Sequence, residues 1–407
     1  MKRQTIILAL IMLLINISGS SAVRKEYKNL KGYIKTSNYA KGREQIAKCL
    51  ADTTINTDPK LYDLAIALET KANDAENMKL YLNQKYDTAA FFNTGSKIVE
   101  YALKRDSLMM AADSAAAIAK RKKIVDELMP YYQNLYNGGV FFIKNKQWAA
   151  ADRMFSMYII NADAPMLQGS TTATTAKMAR AAFWSMAACY ESKQYKSVFK
   201  HHELAEADTA NINYVLQYEA LSYEQLHDTA QYVAKLKEGI LKSQAGAEGM
   251  SEFFFSRLTD YYNSVHDYKA AYQLNDSLLR TDSTSTLYLY AQTIVLFNMK
   301  AYDQCIANTN RLLSIDPDNI EANYYLGLCW YNKGLDYDAT ITPDPTSKKY
   351  KNSKKEVNRM FTEAMPYLEK FRKAHPNDKE RWQAPLYRIY FSLNLSDKLK
   401  ELETAPQ

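Results

Sequence analysis

The feature that most constrains this chain is an internal period of 34 residues between Ser251 and Asp318 and just beyond. Sliding that segment along itself brings Leu258, Gln292 and Leu326 into register, followed by Thr259, Thr293 and Gly327. Tyr262, Leu296 and Trp330 come next, then His266, Lys300 and Gly334. In the second half of each unit Tyr268 matches Tyr302, Ala271 matches Cys305, Leu278 matches Leu312 and Ser283 matches Pro317. Apolar residues recur three and four apart, the helical period, on either side of the short turns His266-Asp267 and Lys300-Ala301. A small residue such as Thr259, Thr293 or Gly327 lets two antiparallel helices approach closely, and the large residue three places on fills the space beside it. One such pair cannot bury its apolar faces alone, so pairs must stack.

These units resemble tetratricopeptide repeats, most clearly from Asp316-Pro317-Asp318-Asn319 into Glu321-Ala322-Asn323-Tyr324-Tyr325-Leu326-Gly327. Upstream, Gly139, Phe142, Trp148 and Ala151 fit one unit. Ala187, Tyr190 and Tyr195 fit another, and Ala220, Tyr223 and the His227-Asp228 turn a third. The motif's first large aromatic is mostly replaced, by Leu135, Leu216, Phe255, Leu289 and Asn323. A looser likeness, carried by Asn93 to Leu103 and Asn134 to Gly139, is to exported tetratricopeptide proteins of Bacteroidetes-type bacteria. The resemblance implies an all-α superhelical solenoid of antiparallel helix pairs with a C-terminal capping helix. It implies no common activity.

The expected organisation runs from a signal peptide at 1–22 to an N-terminal helical region with degenerate repeats at 23–130. The repeat array follows at 131–378, carrying an insertion loop at 335–358, and a capping helix and tail occupy 379–407. Asp58 and Pro59 mark a helix start, as N-cap and first residue. Pro130 predicts a break in the helix around it. The last repeat's first helix is expected to end near Gly334, and the cap to start near Glu380 with Trp382, Leu386 and Ile389 on one face. Scarce turn residues, 12 Gly and 10 Pro in 407, argue against an all-β alternative.

Lys2 and Arg3, the apolar run Ile6 to Ile17, and the small residues Ser20 and Ala22 read as a cleavable export signal, with an uncleaved anchor as the alternative. No cysteine follows the apolar run, which speaks against lipid attachment and places the chain in the periplasm or cell envelope. Cleavage takes the net charge from +7 to +5 because Lys2 and Arg3 leave. That is a solubility statement rather than a nucleic-acid footprint. The four cysteines are expected to be buried free thiols, with a Cys305–Cys329 disulfide on neighbouring helices left open.

No GxGxxG, GxxxxGK[ST] or GxSxG motif occurs, and no nucleophile has an adjacent activating base, so the expectation is a non-enzyme without cofactor. His202-Glu203-Leu204-Ala205-Glu206 opens like a zinc-protease motif but lacks the second histidine, and reads as a solvated i,i+4 pair rather than a metal site. Tyrosine is the compositional outlier, 32 of 407. By helical phase, Tyr136, Arg180, Phe183, Tyr214, Gln217, Asp260, Asn263, Tyr290, Asn298, Tyr324 and Tyr331 face the side that is concave in such arrays, where an aromatic groove would seat a protein or peptide segment. Packing beneath neighbouring helices is the competing reading for the same rings. The Lys/Asn/Arg clamp by which related domains hold chaperone C-termini is missing, Arg180 being the one obvious cation.

A basic loop of Lys348, Lys349, Lys351, Lys354 and Lys355 could touch an acidic protein or anionic surface, although a solvated insertion explains it as well. The leading reading is a non-catalytic interaction scaffold. A carbohydrate- or nutrient-binding envelope protein is the alternative.

Overall fold

A computed structural model describes residues 23–168, 170, 174–243 and 250–404; the expected signal peptide lies outside them. The described residues form eighteen α-helices and one 3-10 helix, with no strand among them. The described residues up to 243 make one compact unit and those from 250 a second. That division falls inside the 131–378 stretch read from the sequence as one array.

In the first unit the helices are α1 (23–35), α2 (Tyr39–Ala51), α3 (Pro59–Tyr81), α4 (Thr88–Ala112), α5 (Ser114–Lys144) and α6 (Trp148–Ile160). They continue as α7 (Thr175–Glu191), a 3-10 turn (Tyr195–His201) leading into α8 (His202–Glu206), α9 (Ile212–Gln225) and α10 (Thr229–Ser243). The second unit holds α11 (Met250–Ser264), α12 (Tyr268–Thr281), α13 (Thr286–Asn298), α14 (Tyr302–Ile315), α15 (Ile320–Ala339), α16 (Lys348–Ala374), α17 (Lys379–Ser392) and α18 (Ser396–Thr404). Within each unit successive helices pack on one another, from α2 to α10 and from α11 to α18, and first helices of adjacent pairs also touch, α5 on α7, α7 on α9, α13 on α15 and α15 on α17. This is the all-α architecture of stacked tetratricopeptide-like helix pairs.

The turn inside a pair has one recurring design. Ser37, Asn83, Lys146, Lys193, His227, His266, Lys300 and Asn394 all have positive φ, between 53° and 60°. The residue after each donates its N–H five residues back, as in Asp267 to Tyr262 O at 2.9 Å and Ala301 to Leu296 O at 3.0 Å. This is the Schellman closure of a helix end. Asp228 and Asp267 then cap the following helix, their side chains accepting from Gln231 N (3.2 Å) and Ala270 N (3.1 Å). A two-residue turn thus ends one helix and starts its antiparallel partner.

The small residues work as close-approach points. A methyl on Gly139 would sit 2.6 Å from the Phe155 ring, and one on Gly327 2.8 Å from Leu368. Gly334 does not end its helix. It lies within α15, where a methyl would meet Phe361 at 2.8 Å, so its lack of a side chain serves packing instead of a turn.

Three more expectations are corrected. The 335–358 insertion is mostly helix: α15 continues to Ala339 and α16 starts at Lys348, leaving only 340–347 as connection. Ser347 caps the start of α16, its side chain accepting from Tyr350 N at 3.1 Å, so the lysines occupy the first turns of a helix, not a loop. Pro130 sits inside an unbroken α5, with no break there. The cap is a pair rather than one helix: α17 buries Trp382, Leu386, Ile389 and Tyr390 against Phe361, Leu368 and Phe371 of α16, and α18 adds Leu402. Asp58 caps α3 as expected, with Pro59 first. Cys49 and Cys189 are buried free thiols, whereas Cys305 and Cys329 pair across α14 and α15 with Cα atoms 6.7 Å apart, inside the disulfide range.

Candidate functional site

In the second unit, α13 and α15 present a run of partly buried aromatic side chains. The Tyr290 ring meets Tyr325 edge-on at 6.1 Å, and Phe297 meets Tyr325 at 5.5 Å. Beside them Arg381 of α17 lies 4.0 Å from the Tyr324 ring and 4.4 Å from Phe371. Its guanidinium grips Glu321 with two bonds, of 2.9 and 2.5 Å, the bidentate geometry that arginine favours. Burial pushes the Tyr290 hydroxyl up to about 12 and raises that of Tyr325, so both phenols are neutral hydrogen-bond donors at ordinary pH.

Tyr324, expected in the groove, is instead core: 9% exposed, it packs against Phe371 at 4.5 Å. Its neighbour Tyr325, about 100° further round the helix, takes the place predicted for it. Tyr331 stacks at 5.7 Å on Phe361 of its own pair's second helix. Asp260 and Asn298 are exposed and Asn263 partly buried, the first and last on α11 and Asn298 ending α13.

The first unit divides its candidates in the same way. Phe183 is 5% exposed and belongs to the core with Met186, Val198 and Val215, so it is no groove residue. The helix α7 is buried over most of its surface, and Phe183 falls on the covered side. Tyr136 rests edge-on against Phe155 and Tyr158, both at 5.6 Å, with the Lys177 ammonium 4.9 Å over its ring. Arg180 is committed to Asp208 at 2.5 and 3.2 Å. Burial alone would push the Asp208 carboxyl up, but bonds from Arg180 and Asn211 hold it below the usual range. Tyr214 is half exposed and Gln217 partly buried.

The His202–Glu206 pair gains a partner that sequence spacing did not show. Glu219 of α9 is fully buried, and its Oε1 lies 3.5 Å from His202 Nδ1. One possible ligand atom from each of His202, Glu206 and Glu219 falls within a 4.8 Å group. Lys235 of α10 already brings positive charge there, its Nζ 2.7 Å from Glu219 and 3.1 Å from both Glu206 and Glu238. The arrangement is that of an internal ion cluster joining α8, α9 and α10.

Of the lysines, Lys348, Lys349, Lys351 and Lys355 are exposed, while Lys354 pairs with Asp338 and lies over Tyr350.

No family model and no curated protein sequence matches the chain. Among solved structures, it is similar to the C-terminal part of a TPR repeat-containing protein from Cytophaga hutchinsonii, at 12% identity and a TM-score of 0.36, over 66% of this chain and 98% of that one. It is similar to a TPR repeats protein from Bacteroides fragilis at 18% identity and a TM-score of 0.30, over 63% and 97%. The apo form of RapI aligns at 12% identity and a TM-score of 0.35, over 92% and 98%.

Proposed function

We propose that this chain is an exported, non-catalytic scaffold that holds an extended segment of a partner protein on the first-helix face of its second unit. The observation that carries the reading is the aromatic run Tyr290, Phe297 and Tyr325, built from two successive first helices and flanked by the Glu321–Arg381 pair. Tyrosine supplies large contact area for two side-chain torsions, and its hydroxyl fixes orientation once the ring is covered. The N-terminal sequence from Lys2 to Ala22 supports a periplasmic or cell-envelope location. Nucleic acid is not the partner in this reading. The exposed lysines of α16 provide a peripheral contact with anionic surfaces.

The test is crosslinking in intact cells, purification of the tagged protein and mass spectrometry, beside a strain carrying Tyr290→Ala and Tyr325→Ala. Circular dichroism controls for folding. A partner recovered with the parent and lost with the variant supports the scaffold. A partner retained by both removes the aromatic run from the reading. N-terminal sequencing of the same sample should begin at Val23.

A further inference from the structure

On the opposite side of α13, the second helices α12 and α14 border a cleft of about 550 Å³, within the range of small-ligand sites. Gln292 and Leu296 of α13 line it from below. Gln292 is only 4% exposed and its Oε1 has no hydrogen-bond partner. Leaving such an oxygen unmade is unfavourable, yet the in-register residues of the adjoining units are Leu258 and Leu326, both fully buried. The same exchange recurs around the cleft. Gln304, Asn308 and Arg311 stand where the preceding unit has Ala270, Leu274 and Ser277. Four polar residues have replaced apolar or small ones in one repeat, and the fold brings all four to one cavity.

Their chemistry narrows the ligand. Asn308 spends its amide hydrogens on Leu289 O (2.8 Å) and Thr293 Oγ1 (3.0 Å), which leaves its carbonyl oxygen as an acceptor. Gln292 offers a second acceptor once its terminal torsion, which is soft, turns toward the cleft. A carboxylate or sulfate brings no hydrogen-bond donor to these oxygens, and the guanidinium groups it would seek are already held, Arg280 by Asp276 and Arg311 by Ser283 O. A cation meets two guanidinium groups, Arg280 and Arg311, of which Arg280 is already balanced by Asp276 at 2.7 Å. An apolar ligand leaves the amides unsatisfied. An extended peptide points successive N–H groups to opposite sides, whereas a sugar ring carries hydroxyls on adjacent carbons, each both donor and acceptor.

We infer that the cleft between α12 and α14 is a binding site for a neutral saccharide, with Gln292 and Gln304 as its principal polar contacts.

The full chain would be titrated with maltotriose, cellotriose and chitotriose, and with tetraglycine, by calorimetry and saturation-transfer NMR. Gln292→Leu and Gln304→Ala restore the preceding repeat's residues, so both should fold, and the first should melt no lower than the parent. The expectation is millimolar binding of at least one trisaccharide, weakened about fivefold by either substitution, the value of one net hydrogen bond. Should Gln292→Leu misfold, Gln304→Ala decides. No trisaccharide binding, binding that both variants retain, or binding of tetraglycine alone would each overturn the inference. None of these outcomes bears on the Tyr290–Tyr325 face, whose partner is tested separately.

Discussion

The ion cluster under α9 makes an asymmetric prediction. Glu219 is fully buried, and burial raises its carboxyl above the usual range even with Lys235 beside it. Lys235 has three carboxylates within 3.1 Å: Glu219, Glu206 and Glu238. Glu219→Gln therefore leaves the ammonium two partners and removes one desolvated charge, at a cost of about 1 kcal/mol or less. Lys235→Met leaves Glu219 buried with no ammonium on it, and breaking a buried pair from one side costs about 3–5 kcal/mol. For a unit of this size 3 kcal/mol lowers the melting temperature by roughly 6–12 °C.

The sign of the pH dependence follows. In Lys235→Met the folded pKa of Glu219 rises further above its unfolded value of about 4.3, so protonation favours the folded state below that value and the benefit is lost as pH rises through the folded pKa. The deficit against the parent should be largest at neutral pH and shrink on acidification. His202, Glu206, Glu238 and Lys242 also face this cluster, and Lys242 Nζ lies 2.5 Å from Glu238. Thermal unfolding of the full chain at several pH values, with hydrogen exchange of α9 and α10 peptides to localise the effect, measures it. If Lys235→Met costs no more than Glu219→Gln, or its deficit is the same at neutral and mildly acidic pH, the reasoning is wrong.

Identical glycine substitutions should differ in sign. Gly139→Ala drives a methyl to 2.6 Å from the fully buried Phe155 ring and should destabilise by about 1–2 kcal/mol, while Gly32→Ala meets nothing within 4 Å and should stabilise by about 0.5–1 kcal/mol, both read from urea unfolding. Lys300→Gly relieves a left-handed residue at φ 56° and should add about 0.5–1 kcal/mol, a gain that refutes the turn analysis if it appears as a loss. Alkylation of the denatured, unreduced chain should label Cys49 and Cys189 alone, with Cys305 and Cys329 joining only after reduction. Lys348→Glu or Lys349→Glu places an acid at the positive end of α16 and should stabilise by about 0.3–1 kcal/mol at low salt, fading as salt is added.

The turns were legible in the sequence because they rest on local chemistry. His266-Asp267 and Lys300-Ala301 are positions where the chain reverses, and a 34-residue spacing fixes them without any knowledge of neighbours. The small-residue positions were legible for a related reason: Gly139 and Gly327 are small because a particular ring or leucine occupies the space a methyl would need. Where the repeat stretches, that logic fails. At Gly334 the same register that ends a helix in the preceding units is overridden, because the chain into Ala339 keeps helical bonding and α16 packs over the glycine. The lysines of α16 read as a loop because they fall in the stretch 335–358 that interrupts the last repeat, and Ser347 is the helix-start signal that decides otherwise.

The candidate site was harder to read, for a geometric reason. In Tyr324-Tyr325 one residue of phase separates core from surface, and both residues have the same chemistry, so composition cannot choose. What chooses is a contact some 47 to 57 residues away: Phe371 and Arg381 close over Tyr324 and leave Tyr325 to meet Tyr290 and Phe297. Phe183 was lost to the core in the same way, by Val198 and Val215 arriving from the next elements. Glu219 and Gln292 carry the complementary lesson. Each is a polar residue at a buried helix position, invisible as a motif because the groups that surround it come from other helices. Comparing a repeat with its own neighbour exposes Gln292 against Leu258 and Leu326, since a repeat chain contains its own reference for what packing alone requires. A departure from that reference is informative only when the fold gathers several of them, and between α12 and α14 it gathers Gln292, Gln304, Asn308 and Arg311.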